Sequence, residues 1–308
     1  MITLYAQWKQ GPKTKINYIS KVVNKDDGKL YTSSTPREFP SGSLITIEDN
    51  SKQSIGHKFI KWNTKEDGSG VDYYVNDTLS NYESGTTIDL YAQWEFTGKY
   101  IQDFTLQECI NLASSEDYMV FDRRDGNGYK VRYANDNGCW MTQDLRISGS
   151  IANTDSNFST PESITLSTSG DDIITPRIID RRQYISYNYC AAKAGNTNSC
   201  SQYNDDSYNI DIDICPANWK IPNMNEMSSI RNDRKVFNEN SVGNLWWTST
   251  TLGPADNEQG MLQCVLERTG DEFYFDYNGT HSSSCRSGNR WWGYFRKGLY
   301  SLIRCKHK

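Results

Sequence analysis

The sequence lacks a long apolar run and an excess of positive charge. No run approaches the roughly 18 apolar residues of a membrane-spanning helix, and the mean hydropathy is −0.75, so we predict no membrane span in these 308 residues. The formal net charge is −5, which argues against nucleic acid as a partner because nucleic-acid-binding surfaces are basic. Aromatic residues form 13% of the chain, which is too many for a disordered chain and is typical of a β-rich domain or a binding surface.

The motifs of common enzyme classes are also missing. The sequence has no G-x-S-x-G, no phosphate-binding Walker loop and no H-E-x-x-H. It has 3 histidines, of which His57 lies in the cysteine-free part. His281 is four residues from Cys285, so a thiol–imidazole pair is one interpretation, but disulfide bonding of Cys285 is preferred. We therefore predict that the chain is not an enzyme and uses no cofactor.

Cysteine is absent from the first hundred residues, and all 8 cysteines follow. None forms a C-x-x-C pair or stands at ligand spacing from a histidine, so a zinc site is not predicted. An even number of widely spaced cysteines in a Ser/Thr/Asn-rich chain indicates disulfides and an oxidising compartment. The spacing alone leaves the pairing open. The predicted disulfide cysteines are Cys109, Cys139, Cys190, Cys200, Cys215, Cys264, Cys285 and Cys305.

An internal repeat organises the first third of the chain. Ile2–Trp8 returns as Ile88–Trp94, with six of seven positions identical. Both copies alternate apolar and polar residues and predict strands. We expect residues 1–8 to be the last strand of a preceding repeat, and the chain to be part of a longer protein. Residues 9–95 would then be one complete repeat unit, followed by a linker at 96–99.

The repeat unit carries a further pattern from Gly56 to Gly70. Phe59, Ile60 and Trp62 predict a strand, and an Asp-Gly-Ser-Gly sequence predicts the turn after it. The Gly-x-x-Phe-x-x-Trp-Asn-Thr motif, this turn and the closing Leu-Tyr-Ala-Gln-Trp resemble the Listeria–Bacteroides repeat, the internalin-type B repeat of bacterial surface proteins. That resemblance covers residues 1–94. It implies a small β-grasp-like module used in series as a stalk. Core packing is the expected role of Trp8, Trp62 and Trp94.

Two short helices and several strands are predicted in the rest of the chain. Helix starts are indicated by Thr105 with Glu108 and by Asn223 with Glu226, each a capping-box pair. Turn residues at Asp122–Gly128 predict a hairpin with local ion pairs, in preference to an EF-hand-like loop. Residues 147–177 predict a long exposed loop. Strands are predicted at Tyr129–Tyr133, Trp246–Thr250, Met261–Leu266, Phe273–Tyr277 and, as the closing strand, Leu299–Cys305.

These elements occur in the order of a second family. Six motifs between about residues 100 and 305 resemble the Fibrobacter succinogenes major paralogous domain. They are Asp122-x-Arg124-Asp125-Gly126-x-x-Tyr129, Gly138–Arg146, Tyr187–Ala192, Cys215-Pro216-x-x-Trp219-x-Ile221-Pro222, Trp246–Thr250 and Ile303-Arg304-Cys305. The resemblance implies a C-type lectin-like domain at 100–308, with two short helices, an antiparallel sheet and long loops. The predicted fold class of the whole chain is therefore α+β, mostly β.

The same resemblance implies a disulfide pattern and a binding face. The long bridge of C-type lectins corresponds to Cys215–Cys305, and the remaining pairs would be Cys109–Cys139, Cys190–Cys200 and Cys264–Cys285. The ligand face would precede the last strand, where the composition of Tyr, Trp, Arg, Asn and Ser is that of antibody-like binding loops. An ordinary aromatic-rich core is the alternative there. The predicted ligand-binding residues are Asp276, Tyr277, Asn278, His281, Arg290, Trp292, Tyr294, Arg296 and Tyr300.

Calcium is the one ion for which the sequence offers a cluster of oxygen donors. The motifs of calcium-dependent sugar binding are absent, and a solvated acidic loop is the preferred interpretation of the cluster. Its members are Asp205, Asp206, Asp211 and Asp213.

Together these features predict an extracellular protein of the bacterial cell surface. The function expected from them is adhesion or recognition, in which a repeat stalk presents a disulfide-bonded head to a protein or glycan of a host or neighbouring cell. A structural subunit of a surface layer or pilus is the alternative, and a variable protein of a diversity-generating retroelement is a special case.

Overall fold

The structure is a computed structural model of the chain. It describes residues 11–80, 82–157, 164–168, 178–181, 184–194, 213–230, 233, 236, 245–254, 261–269, 272–276 and 302–308. The chain divides into two compact units, residues 1–98 and 99–308. Among the described residues, no helix has the length and apolar character needed to cross a bilayer.

The first unit is built on a five-stranded sheet and a separate pair of strands. The strands are β1 (Thr14–Val23), β2 (Leu30–Phe39), β3 (Ile45–Thr46), β4 (His57–Asn63), β5 (Asp72–Tyr73), β6 (Thr78–Leu79) and β7 (Thr87–Phe96). The five-stranded sheet has the order β2-β1-β7-β4-β5. Its central strand β7 is parallel to β1 and antiparallel to β4, and β3 and β6 form the separate pair.

One face of this sheet carries the core of the first unit. Alternate residues of β1 are buried, as expected for a strand with one face in a core. The Tyr18 and Trp62 rings pack with their centroids 4.9 Å apart, and the indole nitrogen of Trp62 donates to the Glu48 carbonyl at 2.9 Å. The buried apolar residues are Ile16, Tyr18, Ile45, Ile47, Trp62, Leu79 and Leu90.

Two strands and one core residue that the sequence predicts in residues 9–95 are confirmed. The strands predicted around Phe59 and at Ile88–Trp94 are β4 and β7, and Trp62 is a core residue. Trp94 is only half-buried and packs edge-on against Phe59. β7 extends to Phe96, into the expected linker. The strand predicted at 2–8, with Trp8, lies outside the described residues.

The second unit combines small sheets with short helices. The strands are β8 (Tyr118–Phe121), β9 (Gly128–Tyr133), β10 (Cys139–Met141), β11 (Gly149–Ile151), β12 (Ile164–Leu166), β13 (Ile178–Arg181), β14 (Tyr184–Tyr187), β15 (Trp219–Lys220), β16 (Leu245–Pro254), β17 (Met261–Thr269), β18 (Glu272–Asp276) and β19 (Lys306–His307). A five-stranded sheet has the order β15-β19-β10-β9-β8, a three-stranded sheet has the order β16-β17-β18, and two hairpins pair β11 with β12 and β13 with β14. The helices are α1 (Leu106–Ala113), α2 (Tyr189–Ala192) and α3 (Met224–Ile230).

Both predicted helix starts are confirmed. The Thr105 hydroxyl accepts from the Glu108 amide at 3.2 Å, and the Glu108 carboxylate accepts from the Thr105 amide at 3.0 Å. Asn223 and Glu226 make the same reciprocal pair at the start of α3, each at 2.9 Å. The described residues form many strands and few short helices, so the predicted fold class, α+β and mostly β, is confirmed.

Two predictions about the second unit are wrong. Residues 147–177 do not form one exposed loop: β11 and β12 pair within them, and Ile147, Ile151 and Leu166 are buried in the core. The apolar residues there are too widely spaced to show a strand period. The closing strand predicted at Leu299–Cys305 is also misplaced. Residues 299–301 lie outside the described residues, Leu302 makes a single bridge to Trp246, and the paired strand β19 follows at Lys306–His307.

Candidate ligand-binding site

The structure describes only the ends of the predicted binding segment. Asp276 is the last residue of β18 and pairs with Val265 of β17. The other predicted ligand-binding residues lie outside the described residues; they are Tyr277, Asn278, His281, Arg290, Trp292, Tyr294, Arg296 and Tyr300. The described residues continue at Leu302. Asp276 and Leu302 therefore mark where residues 277–301 leave and rejoin the fold.

The two ends lie at the same level of the three-stranded sheet. Phe275 pairs with Leu266, Leu266 pairs with Trp246, and Trp246 forms a parallel bridge with Leu302. These four residues form one row across β18, β17, β16 and the returning chain. Neighbouring strands are about 4.8 Å apart, so the ends of the row are separated by about 14 Å. The predicted segment therefore connects opposite edges of one sheet.

The returning end is held by a buried ionic cluster. The Asp144 carboxylate accepts from the indole nitrogen of Trp246 at 2.7 Å and from Arg304 Nε at 2.9 Å. Arg304 also donates to the Val236 carbonyl at 2.5 Å, and its guanidinium lies 5.3 Å from the Trp246 ring centroid. Asp144 and Arg304 are buried, so their charges stabilise each other where water cannot.

Backbone hydrogen bonds and a disulfide hold the residues that follow. The Leu145 amide donates to the Ile303 carbonyl at 2.8 Å, and the Met141 amide donates to the Cys305 carbonyl at 3.0 Å. Cys305 is disulfide-bonded to Cys215. The chain after the predicted binding segment is thus joined to residues 141–145 and to Cys215.

A second ionic cluster fixes α3 against β19. The Lys306 ammonium lies 3.0 Å from Asp136 and 3.2 Å from Glu226, and 5.1 Å from the Trp140 ring centroid. Partial burial opposes ionisation of Glu226, but its hydrogen bond from the Asn223 amide and the ammonium groups of Lys220 and Lys306 lower its pKa overall. The carboxylates near the returning end of the segment are therefore already paired.

The predicted hairpin at Asp122–Gly128 is confirmed, and its ion pair is a buried one. Arg124 and Asp122 are almost fully inaccessible and lie 2.7 Å apart. Arg124 also donates to the Ser156 hydroxyl at 3.0 Å and the Ile214 carbonyl at 2.7 Å, and Gln102 donates to Asp122 at 2.7 Å. This arrangement joins the hairpin to two distant loops and is structural in character.

Of the predicted calcium ligands, only Asp213 is described. It is buried, and its two carboxylate oxygens accept from the amides of Cys215 at 2.8 Å and Ile221 at 2.9 Å and from the Asn157 side chain at 3.1 Å. Burial raises the pKa of Asp213 to about 7, against these hydrogen bonds, which lower it. Both oxygens therefore have protein partners. The other three donors, Asp205, Asp206 and Asp211, lie outside the described residues.

Within the part of the chain that the structure describes, no group of three or more His, Cys, Asp or Glu is placed to hold a metal ion.

Two of the four expected disulfides are confirmed, Cys109–Cys139 and Cys215–Cys305. The first ties α1 to β10, and the second ties the Cys-Pro motif to the chain before β19. Cys190 is also disulfide-bonded. The side chains of Cys200, Cys264 and Cys285 are not among those described, so the pairs Cys190–Cys200 and Cys264–Cys285 stay predictions.

Sequence reasoning missed the Asp144–Arg304 pair and the Lys306 cluster, although Asp144 and Arg304 stand in motifs that it singled out. Their charge pairing follows from contacts 160 residues apart in the chain, which no local pattern reveals. Comparison with protein-family models, with curated proteins and with solved structures found no match.

Proposed function

We propose that this chain is a non-catalytic recognition protein of the bacterial cell surface, in which the first unit is part of a repeat stalk and the second unit is a binding head. The ligand is a surface protein or glycan of a host or neighbouring cell, and it binds through residues 276–300. The observation that carries the proposal is the fixed row Phe275, Leu266, Trp246 and Leu302, because it supports both ends of one long segment on a single sheet.

Rigid support is what a recognition loop needs. Binding residues are disproportionately found on loops that a rigid scaffold positions, and pre-organisation lowers the entropy lost on binding. The returning end is buried from Leu302 to Cys305. It is tied by the Asp144–Arg304 pair and the Cys215–Cys305 disulfide. Disulfides form and persist in oxidising compartments, which supports a location outside the cell.

The charge of the segment indicates the chemistry of its ligand. Residues 277–301 contain Arg286, Arg290, Arg296 and Lys297 and no Asp or Glu, in a chain whose net charge is −5. The described carboxylates beside the returning end already pair with Arg304 and Lys306. The positive charge of the segment therefore favours a ligand that carries acidic groups, and aromatic side chains beside arginine are the commonest binding hot spots.

The test is a binding screen of the full chain on glycan and host-protein arrays, with and without EDTA and at two salt concentrations. A variant carrying Arg290→Ala, Trp292→Ala and Tyr294→Ala is run in parallel. A matched control carries Lys13→Ala, Arg37→Ala and Tyr74→Ala, three exposed residues of the first unit. We expect binding to acidic ligands that weakens at high salt, is lost in the first variant and persists in the control.

Other results would change the proposal. Loss of binding in EDTA would restore the Asp205–Asp213 cluster as a metal site. No binding on any array, together with concentration-dependent self-association that the first variant abolishes, would favour the structural surface-layer or pilus subunit. Binding that survives the triple substitution would move the site away from residues 276–300.

A further inference from the structure

An amine, a carboxamide and a carboxylic acid meet at one place in the second unit. The Lys308 ammonium donates to the side-chain oxygen of Asn157, and the side-chain nitrogen of Asn157 donates to Asp213 Oδ2 at 3.1 Å. One side-chain amide therefore has an amine at its oxygen and a carboxyl group at its nitrogen. A nucleophile, an acyl group with a leaving group and a proton donor are the components of an acyl transfer.

Backbone hydrogen bonds hold each of these three residues in place. The Asn157 amide donates to the Cys215 carbonyl at 2.8 Å, and the Asp213 amide donates to the Asn157 carbonyl at 3.1 Å. The Lys308 amide donates to the Asn218 carbonyl at 3.0 Å. The three side chains thus start from fixed backbone positions. Fixed orientation matters for acyl transfer, because well-oriented groups reach effective concentrations of about 10⁵–10⁸ M.

A disulfide fixes the same place covalently. Asp213 lies two residues before Cys215, Lys308 lies three residues after Cys305, and the two cysteines are bonded to each other. Next to the disulfide, β19 pairs with β15. The segment that carries the amine is therefore tied to the segment that carries the acid by a covalent bond and by strand pairing.

The three side chains differ in their access to water, and each has the access that the reaction requires. Asp213 and Asn157 are buried, whereas Lys308 is exposed. Burial raises the pKa of Asp213 to about 7, so a large fraction of this carboxyl group carries a proton at neutral pH. General acids are most effective when their pKa lies near the working pH. The exposed Lys308 ammonium can lose a proton to water and so reach its nucleophilic form.

We propose that Lys308 and Asn157 of the folded chain become joined by a side-chain amide bond, and that Asp213 is the proton donor for this reaction. The neutral Lys308 amine forms a bond from Nζ to Asn157 Cγ. The bond from Cγ to Nδ2 breaks, and Nδ2 takes the proton of Asp213 and leaves as ammonia. Nζ then gives one proton to the Asp213 carboxylate, which restores the acid. The reaction consumes no oxidant, reductant or cofactor, and it occurs once in each molecule.

The amide bond would change how the second unit is held together. It encloses residues 158–307, which include the proposed binding segment at 276–300. Thiols cleave the neighbouring Cys215–Cys305 disulfide but not an amide, so the returning end of the segment would stay tied to the fold under reducing conditions. One self-modification per molecule is not turnover of a substrate. The inference is independent of the proposed ligand, because it depends only on Asn157, Asp213 and Lys308.

The experiment is mass spectrometry of the full chain, which is incubated in the folded state at neutral pH for several days and then reduced. We expect the intact mass to fall by one ammonia relative to the mass of the reduced sequence. Tryptic digestion locates the bond, because trypsin cleaves after Arg146, Arg177 and Lys306. The peptide of residues 147–177 should then carry His307-Lys308 as a branch on Asn157.

Three substitutions separate the roles of the reacting groups. Lys308→Arg keeps the positive charge and removes the nucleophile, because a guanidinium does not lose its proton in proteins, so this variant should stay unlinked. Asp213→Asn removes the proton donor and should slow bond formation at least about a hundredfold. Lys306→Arg is the matched control. Its ammonium pairs with Asp136 and Glu226, so this variant should link as fast as the wild type.

The branched peptide decides the result. Succinimide formation at an Asn-Gly sequence also releases ammonia, but it joins no two peptides and would persist in Lys308→Arg; ammonia loss of that kind alone would overturn the proposal. Wild-type peptides that stay unlinked after the incubation would do the same. Linkage of Asp213→Asn at the wild-type rate would refute the role of Asp213. Circular dichroism checks that each variant is folded, and the exposed Lys308→Arg change keeps the test decisive if Asp213→Asn unfolds the chain.

Discussion

Arg304 and Asp144 form a buried ion pair although they are 160 residues apart in the chain. The pair connects the residues that follow the predicted binding segment to the end of β10, and Trp246 donates to the same carboxylate. Both side chains are buried, with 8% of Asp144 and 4% of Arg304 exposed. Removal of one partner therefore leaves the other desolvated, which is costlier than the loss of an exposed ion pair.

We expect Asp144→Asn to lower the free energy of unfolding of the second unit by about 3–5 kcal/mol, because the buried Arg304 guanidinium keeps its charge and loses the carboxylate that it contacts at 2.8 Å. Urea unfolding followed by circular dichroism measures the loss. Asp103→Asn is the matched control, since it removes a carboxylate that is 62% exposed from its pair with Arg123, and exposed pairs contribute less than about 1 kcal/mol. Equal effects of the two substitutions would contradict the structural role assigned to Asp144.

Arg123 and Arg124 provide a comparison between adjacent residues of the same type. Arg124 is buried against Asp122, whereas Arg123 is one-third exposed and lies over the Tyr100 ring at 4.4 Å. Arg124→Met should destabilise the second unit by about 3–5 kcal/mol, and Arg123→Met by less than about 1 kcal/mol. Thermal or urea unfolding of both variants measures the two losses of stability. A larger loss for Arg123→Met than for Arg124→Met would contradict the burial of the Arg124 charge.

The raised pKa of Asp213 predicts that its contribution to the free energy of unfolding falls as the pH rises. Its pKa is raised to about 7 in the folded chain, against about 3.9 when unfolded, so the folded state binds this proton more tightly. The associated stabilisation is complete below about pH 4 and is lost as the pH rises to about 7. Its upper bound is on the order of 4 kcal/mol, from the difference between the two pKa values.

The variant Asp213→Asn isolates that contribution. Its amide does not titrate, so its cost in stability relative to the wild type should be larger at pH 5 than at pH 8. Urea unfolding of both proteins across this range gives the difference directly. A cost that stays constant or grows with pH would mean that the carboxylate is ionised throughout, held by its three N–H donors.

Peptide mapping without reduction tests the remaining disulfides. We expect four linked pairs: Cys109–Cys139, Cys215–Cys305, Cys190–Cys200 and Cys264–Cys285. The first two are present in the structure, so they serve as the internal control for the digestion. A peptide that links Cys190 to Cys264 or to Cys285 would overturn the other two assignments.

Asn63 holds the turn after β4. Its side-chain oxygen accepts from the amides of Lys65 at 2.8 Å and Gly70 at 3.0 Å, and its nitrogen donates to the Gly68 carbonyl and to Asp72. Because Asn63 is buried, Asn63→Ala leaves several polar groups without partners and should cost about 3 kcal/mol.

The matched control for Asn63→Ala is Asn17→Ala, which removes one exposed hydrogen bond, to Asp89, and should cost at most about 1 kcal/mol. Unfolding of the first unit followed by tryptophan fluorescence compares the two. If the alanine variants were equally stable, the turn would not depend on the Asn63 side chain.

Local signals in the sequence predicted the elements that depend on local chemistry. The two capping boxes, the β7 strand and the hairpin at Asp122–Gly128 each rest on residues a few positions apart, and each is present. The β11–β12 hairpin was missed because its pairing, Ile151 with Ile164, spans a polar stretch without a strand period. The alternation of a strand is informative only when several residues of one face are apolar.

The candidate site was predicted from the composition of residues 276–300 and from their place before the last strand. The structure shows where the chain enters and leaves this segment, at Asp276 and Leu302. The row from Phe275 to Leu302 depends on two antiparallel registers and one isolated bridge. The hydrophobic pattern and the turns set the registers of consecutive strands, but no local pattern predicts the bridge between Trp246 and Leu302. The buried partners of Arg304 were equally invisible, since Asp144 and Val236 come from distant parts of the chain.

The parallel pairing of β1 with β7 has a mechanical consequence for the proposed stalk. The chain enters the described sheet at Thr14, level with the beginning of β7, and leaves it at Phe96, about 30 Å further along the same axis at about 3.3 Å per residue. Tension between these two points pulls β1 and β7 in opposite directions along their length. The hydrogen bonds from Lys15 to Ile19 are then loaded together in shear, rather than opened one at a time from an end, so the module is oriented to resist extension.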